Sequence, residues 1–262
     1  MLLRVVGMLI AATLACAGAH KARAEPRPAD ACKHAAFRAV IDVGHTAQAP
    51  GATSARGFLE FSFNLNLAKR IEQKLLAAGF RRSVLLVTEG PSRKALAKRV
   101  MRANAGQQHT FSDRFHGHSI FISTDNSDRA GSLLFARLLG NELGKRGLQY
   151  TPHYTERYMG HRQRLLVDAQ AGVYRYDELI VLRDTDMPAV LLEAGSIINR
   201  EEELRMGSVE RQTLISAAVT DAVEAFCAAR QPRTPINVAS RAGKVSRQAT
   251  APAAPGRTIK QR

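Results

Sequence analysis

Three side chains in this sequence are of the kinds that bind metal ions or move protons, and each stands where a backbone element ends or begins. His45 follows the apolar run at residues 37–41, inside "VIDVGH", with Gly44 beside it. Glu60 comes after a Gly/Ala/Ser loop and opens an apolar-periodic segment. An imidazole and a carboxylate are ordinary ligands of a divalent transition metal, so the two read as half of a metal site. Taken singly each has a plainer role. A lone histidine after a strand is ordinarily structural, and an acid in a first helical turn suits the helix dipole. Asp42 either accepts a hydrogen bond near His45 or only closes the turn. Glu193 says more, because it ends "PAVLLE", a run apolar enough to be buried. A buried carboxylate is costly unless paired, metal-bound or protonated, and burial raises its pKa into the range of a general acid or base. Glu201, Glu202 and Glu203 follow closely and read as first-turn helix residues with no chemistry.

The elements that must position these groups alternate. Residues 37–41, 84–87, 119–123 and 189–193 read as strands. Residues 60–78, 92–105, 128–145 and 209–229 read as helices. Gly79 and Gly147 suit helix C-terminal caps, and Asn199 with Glu202 three residues later suits a capping box. Strands alternating with helices predict an α/β fold, a mostly parallel sheet with helices on both faces. Functional groups of such sheets gather at the carboxyl ends of strands, so His45 and Glu193 are expected to open onto one edge.

The chain has 262 residues and a net charge of +15, with 45% apolar residues, enough to bury a core. Residues 1–24 have a basic start, a short apolar run and Ala22-Arg23-Ala24, the pattern of a secretory signal peptide. That apolar run is too short to span a membrane, so no transmembrane segment is expected in the mature chain. Cleavage removes Arg4, Lys21 and Arg23 and no acid, leaving +12. Residues 231–262 carry Arg233, Arg241, Lys244, Arg247, Arg257, Lys260 and Arg262 and no acid, which leaves about +5 for the body. This Pro/Ala/Ser-rich stretch reads as a solvated, disordered basic tail. The expected organisation is a signal peptide at 1–24, an N-terminal segment at 25–36, one domain at 37–230 and the tail. Charge concentrated in a tail is no groove-reading module, and together with export it argues against nucleic acid as a partner. Cys16 leaves with the signal. Cys32 and Cys227, in an exported chain, are expected to form one disulfide tying the ends of the body.

"VIDVGHTAQAPGATSARGFLEFSFNLNLAKRIEQKLLAAGF" and "MPAVLLEAGSIINREEEL" resemble the two ends of the zinc-dependent N-acetylmuramoyl-L-alanine amidases of the cell-wall hydrolase type. The likeness covers most of residues 37–227. It implies Zn²⁺ held by His45 and Glu60, and Glu193 as the catalytic carboxylate. The implied substrate is peptidoglycan, cut at the amide joining the muramoyl lactyl group to L-alanine, and the implied location is the periplasm or cell exterior. That family takes its third ligand from a Ser-x-His strand, and none follows Asn104 here. A strand and its ligand look deleted. His116, His118 and Asp125 are the candidates to replace it, none in the expected motif. With two ligands only, the alternative is a catalytically inactive relative that binds glycan or protein in the envelope. Neighbours of a lost strand must re-pair or leave backbone groups open.

Overall fold

The computed structural model describes residues 32–90 and 112–230. The expected signal peptide, the expected helix at 92–105 and the basic tail lie outside them. Among the described residues there are six strands: β1 Val40–Asp42, β2 Val84–Leu86, β3 Ser119–Ile122, β4 Leu166–Asp168, β5 Val173–Arg175 and β6 Leu191–Glu193. The α-helices are α1 Glu60–Ala77, α2 Arg129–Lys145, α3 Ile180–Arg183, α4 Arg200–Gly207 and α5 Val209–Arg230. Two 3-10 segments, His153–Thr155 and Arg157–Arg162, precede β4.

Helix ends follow the local chemistry. Gly79 closes α1 in a left-handed conformation, with Gly79 N–H donating to Leu76 O and Phe80 N–H to Leu75 O. Asp128 caps α2 through its carboxylate, which accepts from Gly131 N–H at 2.9 Å. Asn199 Oδ1 accepts from Glu201 and Glu202 N–H at 3.0 and 2.9 Å. The reciprocal half of the expected capping box is absent, because the Glu202 carboxylate is turned to Gly117 and Ser196 N–H instead.

The α/β expectation holds. The strands fall in two sheets, β1–β2 and β4–β5–β3–β6. Pairing is parallel at β1–β2 and β3–β5, and antiparallel at β3–β6 and β4–β5. The expected mostly parallel sheet is thus met only in part: β4–β5 is a local hairpin, and β6 returns against β3 after the short α3 instead of making a parallel crossover. Among the described residues β1 and β6 do not pair with each other. Ile41 of β1 and Leu192 of β6 instead face one apolar cleft of about 370 Å³ between the sheets.

Alternation along β3 assigns its two faces. Ile120 and Ile122 enter the main core, with Leu75 of α1, Leu139 of α2 and Ala222 of α5. Phe121 enters a smaller core with Tyr174 and Leu182. Long helices therefore cover one face, and the second is covered by the 3-10 segment at 153–155 and short α3 rather than by long helices. Tyr154 meets Phe121 edge-on at 5.0 Å there. Gly140 lets α2 lie on the β4–β5 turn, since a Cβ there would sit 2.2 Å from Ala171 O. The disulfide Cys32–Cys227 is formed, with Cα atoms 5.3 Å apart, and ties the N-terminal strap to α5. No helix among the described residues is long and apolar enough to cross a membrane.

Candidate functional site

The turn after β1 is held open by its own hydrogen bonds. Thr46 Oγ1 donates to Gly90 O at 2.8 Å and accepts from Ala49 N–H at 2.9 Å. His45 takes φ 69° within it and is the one described residue other than glycine with positive φ. Such a conformation costs on the order of 1 kcal/mol and persists only where the surroundings fix it. Gly44 is not the residue that turns; its place is set by Asn64, whose Nδ2 donates to Gly44 O at 3.2 Å. Asp42, the other candidate for orienting His45, makes no side-chain hydrogen bond among the described residues.

Glu60 is brought to His45 by the loop at 51–59. Glu60 N–H donates to Ala52 O at 2.9 Å, and Glu60 Oε2 accepts from Ala52 N–H at 2.7 Å. The loop's far side is anchored by buried Glu203, which accepts from Ser54 Oγ at 2.5 Å and pairs with Arg56 at 2.5 Å. His45 Nε2 and Glu60 Oε1 then face each other at 3.2 Å. Gly51 is in contact with both: a Cβ there would lie 2.5 Å from Glu60 Oε2 and 2.7 Å from the His45 ring, at φ 81°.

Glu193 ends β6 directly opposite Ser119 of β3, so both side chains leave the same face. Glu60, Glu193 and Ser119 line one cleft of about 270 Å³, along with Phe115, His153, Tyr154 and Arg162. Burial, and then the charge of Glu60, push the Glu193 carboxyl up to about 7 despite the opposing pull of His45. The hydrogen bond to Glu60 raises His45 above the ordinary histidine range, with burial working against it. Burial disfavours the Glu60 charge, but His45 and Ala52 N–H outweigh it and hold that carboxyl below its usual value. One ionised acid beside one near-neutral acid is a division of labour suited to acid–base chemistry.

Two ligand atoms about 2.0–2.1 Å from a tetrahedral zinc lie roughly 3.3 Å apart. The observed 3.2 Å between His45 Nε2 and Glu60 Oε1 fits that pair of positions. None of the candidate third ligands joins them among the described residues. His118 shares the face of Ile120 and Ile122, is 3% exposed, and lies in the field of Arg211 of α5. Burial and Arg211 hold it down to about 4, and neither ring nitrogen has a partner. Asp125 follows the carboxyl end of β3, whereas β6 runs antiparallel and presents Glu193 at the other end. It is exposed there, beyond Thr124, whose N–H donates to Asp177. His116 lines a separate hollow with Arg205 and Arg211. A different trio, Cys32, His34 and Glu224, has metal-like spacing, but the Cys32 sulfur is already in the disulfide and offers no thiolate.

The residues missed in the sequence are those of the 151–162 stretch, which carries His153, Tyr154 and Arg162 into the cleft. Their signal was a cluster of His, Tyr and Arg with no helical or strand period, which marks a loop over a site.

The family model described as N-acetylmuramoyl-L-alanine amidase, Amidase_3, matches residues 39–225. No curated protein matches the chain. Among solved structures, the N-acetylmuramyl-L-alanine amidase Ami1 of Mycobacterium smegmatis is similar at 18% identity and TM-score 0.54, over 75% of this chain and 99% of that one. Ami1 of Mycobacterium abscessus gives 20% and 0.53, over 73% and 99%. An N-acetylmuramoyl-L-alanine amidase of Clostridium difficile 630 gives 17% and 0.52, over 75% and 100%. These likenesses establish the shared fold. With the family match running from β1 to the last turns of α5, the chain belongs to the Amidase_3 family of N-acetylmuramoyl-L-alanine amidases.

Proposed function

We propose that the protein is an exported peptidoglycan amidase that hydrolyses the N-acetylmuramoyl-L-alanine bond at the cleft lined by Glu60 and Glu193, with His45 beside Glu60. The observation that carries this is the 3.2 Å His45–Glu60 pair, whose Glu60 lines the same cleft as an acid raised to about 7. His45 Nε2 and Glu60 Oε1 would hold a zinc ion, whose contribution when bound is to polarise the amide carbonyl and lower the pKa of water. Glu193 takes the proton from the attacking water and returns it to the leaving amine of L-alanine. Its raised pKa suits both transfers near neutrality, because the group accepts and releases a proton at similar cost. Ala52 N–H and the contact with Gly51 keep Glu60 turned to His45. The Cys32–Cys227 bond supports an oxidising compartment and so export.

The test is release of the stem peptide from a muramoyl-peptide by the zinc-supplemented chain, followed by mass spectrometry. Glu193→Gln should abolish release while the circular dichroism of the chain is unchanged. Undiminished turnover in that variant would remove Glu193 from the reaction. One observation favours a second reading, an inactive relative that binds glycan or protein: His118 is turned into the core and no third ligand stands beside His45 and Glu60 among the described residues. Muramoyl-peptide bound without cleavage by the zinc-supplemented chain would establish that reading instead.

A further inference from the structure

Arg162, itself exposed, lines the same cleft from the 151–162 stretch, whose backbone is held in place. Met159 is buried beneath the loop at 6% exposure. Gln163 N–H donates to Gly160 O at 3.0 Å, Gln163 Nε2 to Thr155 O at 2.7 Å, and Arg164 N–H to Tyr154 O at 2.8 Å. Two arginines of this region are engaged elsewhere: Arg114 pairs with Glu156 at 2.6 Å, and Arg164 stacks on Tyr176 at 4.1 Å. The Arg162 guanidinium has no hydrogen bond or ion pair among the described residues. Among the described residues it is the one arginine or lysine lining this cleft, whose acids there are Glu60 and Glu193. Tyr154 lines the same cleft within reach of the fields of both Glu193 and Arg162. In the floor, Ser119 Oγ is buried at 1% exposure and has no partner. A cleft wall with an orphaned hydroxyl and an unpaired guanidinium is complementary to a polar, anionic ligand.

We propose that Arg162 is a specificity-determining residue that takes the free carboxylate of the stem residue next after the scissile amide. This rests on the amidase reading above, which puts the scissile bond at Glu193. A carboxylate cannot lie beside Glu60 and Glu193 without repulsion, so it must turn to the cationic part of the lining, which among the described residues is Arg162. The stem residue following L-alanine extends about 7 Å from the cut at roughly 3.5 Å per residue, the scale of a cleft this size. The planar guanidinium fork grips a carboxylate through two parallel hydrogen bonds, and a carboxamide offers only one acceptor oxygen.

The experiment uses two muramoyl-tripeptides that differ only at the α-carboxyl of the second stem residue, free acid in one and carboxamide in the other. The wild-type chain should prefer the acid by about tenfold or more in KM. Arg162→Gln should raise KM for the acid by the same factor, leave the amide within twofold, and leave kcat within twofold on both. The released tripeptides, titrated calorimetrically into the metal-free wild type and variant, should show the same acid preference and its loss. That arm needs no turnover, so a chain without amidase activity still tests Arg162. Equal binding of acid and amide peptides by the wild type, or an unchanged preference in Arg162→Gln, would overturn the proposal whatever the outcome for catalysis.

Discussion

Glu193→Gln reports on the burial of the acid through stability alone. In the native chain burial raises this carboxyl from 4.5 to about 7. Its folded-state pKa lies above its unfolded one, so native protein binds more protons than unfolded protein between those values. The associated stability is fully present below about pH 4.5 and is lost as pH rises through about 7. At about 1.4 kcal/mol per unit, the loss comes to roughly 3 kcal/mol. Glutamine carries no such penalty. Urea unfolding of metal-free wild type and Glu193→Gln should therefore give a difference that is smallest near pH 4.5. The variant should gain about 3 kcal/mol relative to wild type by pH 8. His45, raised, and Glu60, lowered, add their own pH dependence; their mutual hydrogen bond is common to both chains and cancels in the difference, while the smaller part of the His45 shift that comes from the Glu193 charge goes with the substitution. A difference flat across pH 4.5–8 would refute the reasoning, because it would mean the carboxyl titrates alike folded and unfolded.

Gly51→Ala should separate His45 from Glu60, since its Cβ would fall 2.5 Å from the Glu60 carboxylate at a backbone angle that disfavours side chains. Zinc affinity measured by chelator competition should drop at least tenfold, with a stability loss of about 1–3 kcal/mol. Gly140→Ala drives a methyl to 2.2 Å from Ala171 O, a backbone atom that cannot swing aside. Urea unfolding should show it about 3 kcal/mol less stable, with the His45–Glu60 site intact. Replacing Cys32 and Cys227 together by serine opens a loop closed across a sequence separation of 195. Denaturant unfolding should register a loss of up to about 5 kcal/mol in the chain-entropy account.

The site was legible where a residue's role follows from its place in one element. "PAVLLE" reads as a strand because it is apolar throughout, and that places Glu193 at a strand end without any knowledge of neighbours, although the run is half-buried rather than fully buried. Gly79 marks a helix stop by its own conformational freedom. The β4–β5 hairpin was not legible, because strands this short, Leu166–Asp168 and Val173–Arg175, carry too little alternation to stand out. The candidate third ligands depended on register. His118, one residue before β3, shares a face with Ile120 and Ile122, and the same alternation that buries them turns it away from Glu60. Asp125 depended on strand direction: antiparallel pairing of β3 with β6 sends it to the wrong end of the sheet. Glu202 and Glu203, read as first-turn acids, are buried anchors of distant loops, which only tertiary contacts decide.

The most direct measurement is the zinc content of the purified, reconstituted chain by native mass spectrometry, beside the variants His45→Ala and Glu60→Ala. One zinc per wild-type chain, lost in each variant with the fold retained, is the predicted result. Wild type that binds no zinc, or variants that keep a full equivalent, would contradict the assignment of His45 and Glu60 as the metal pair.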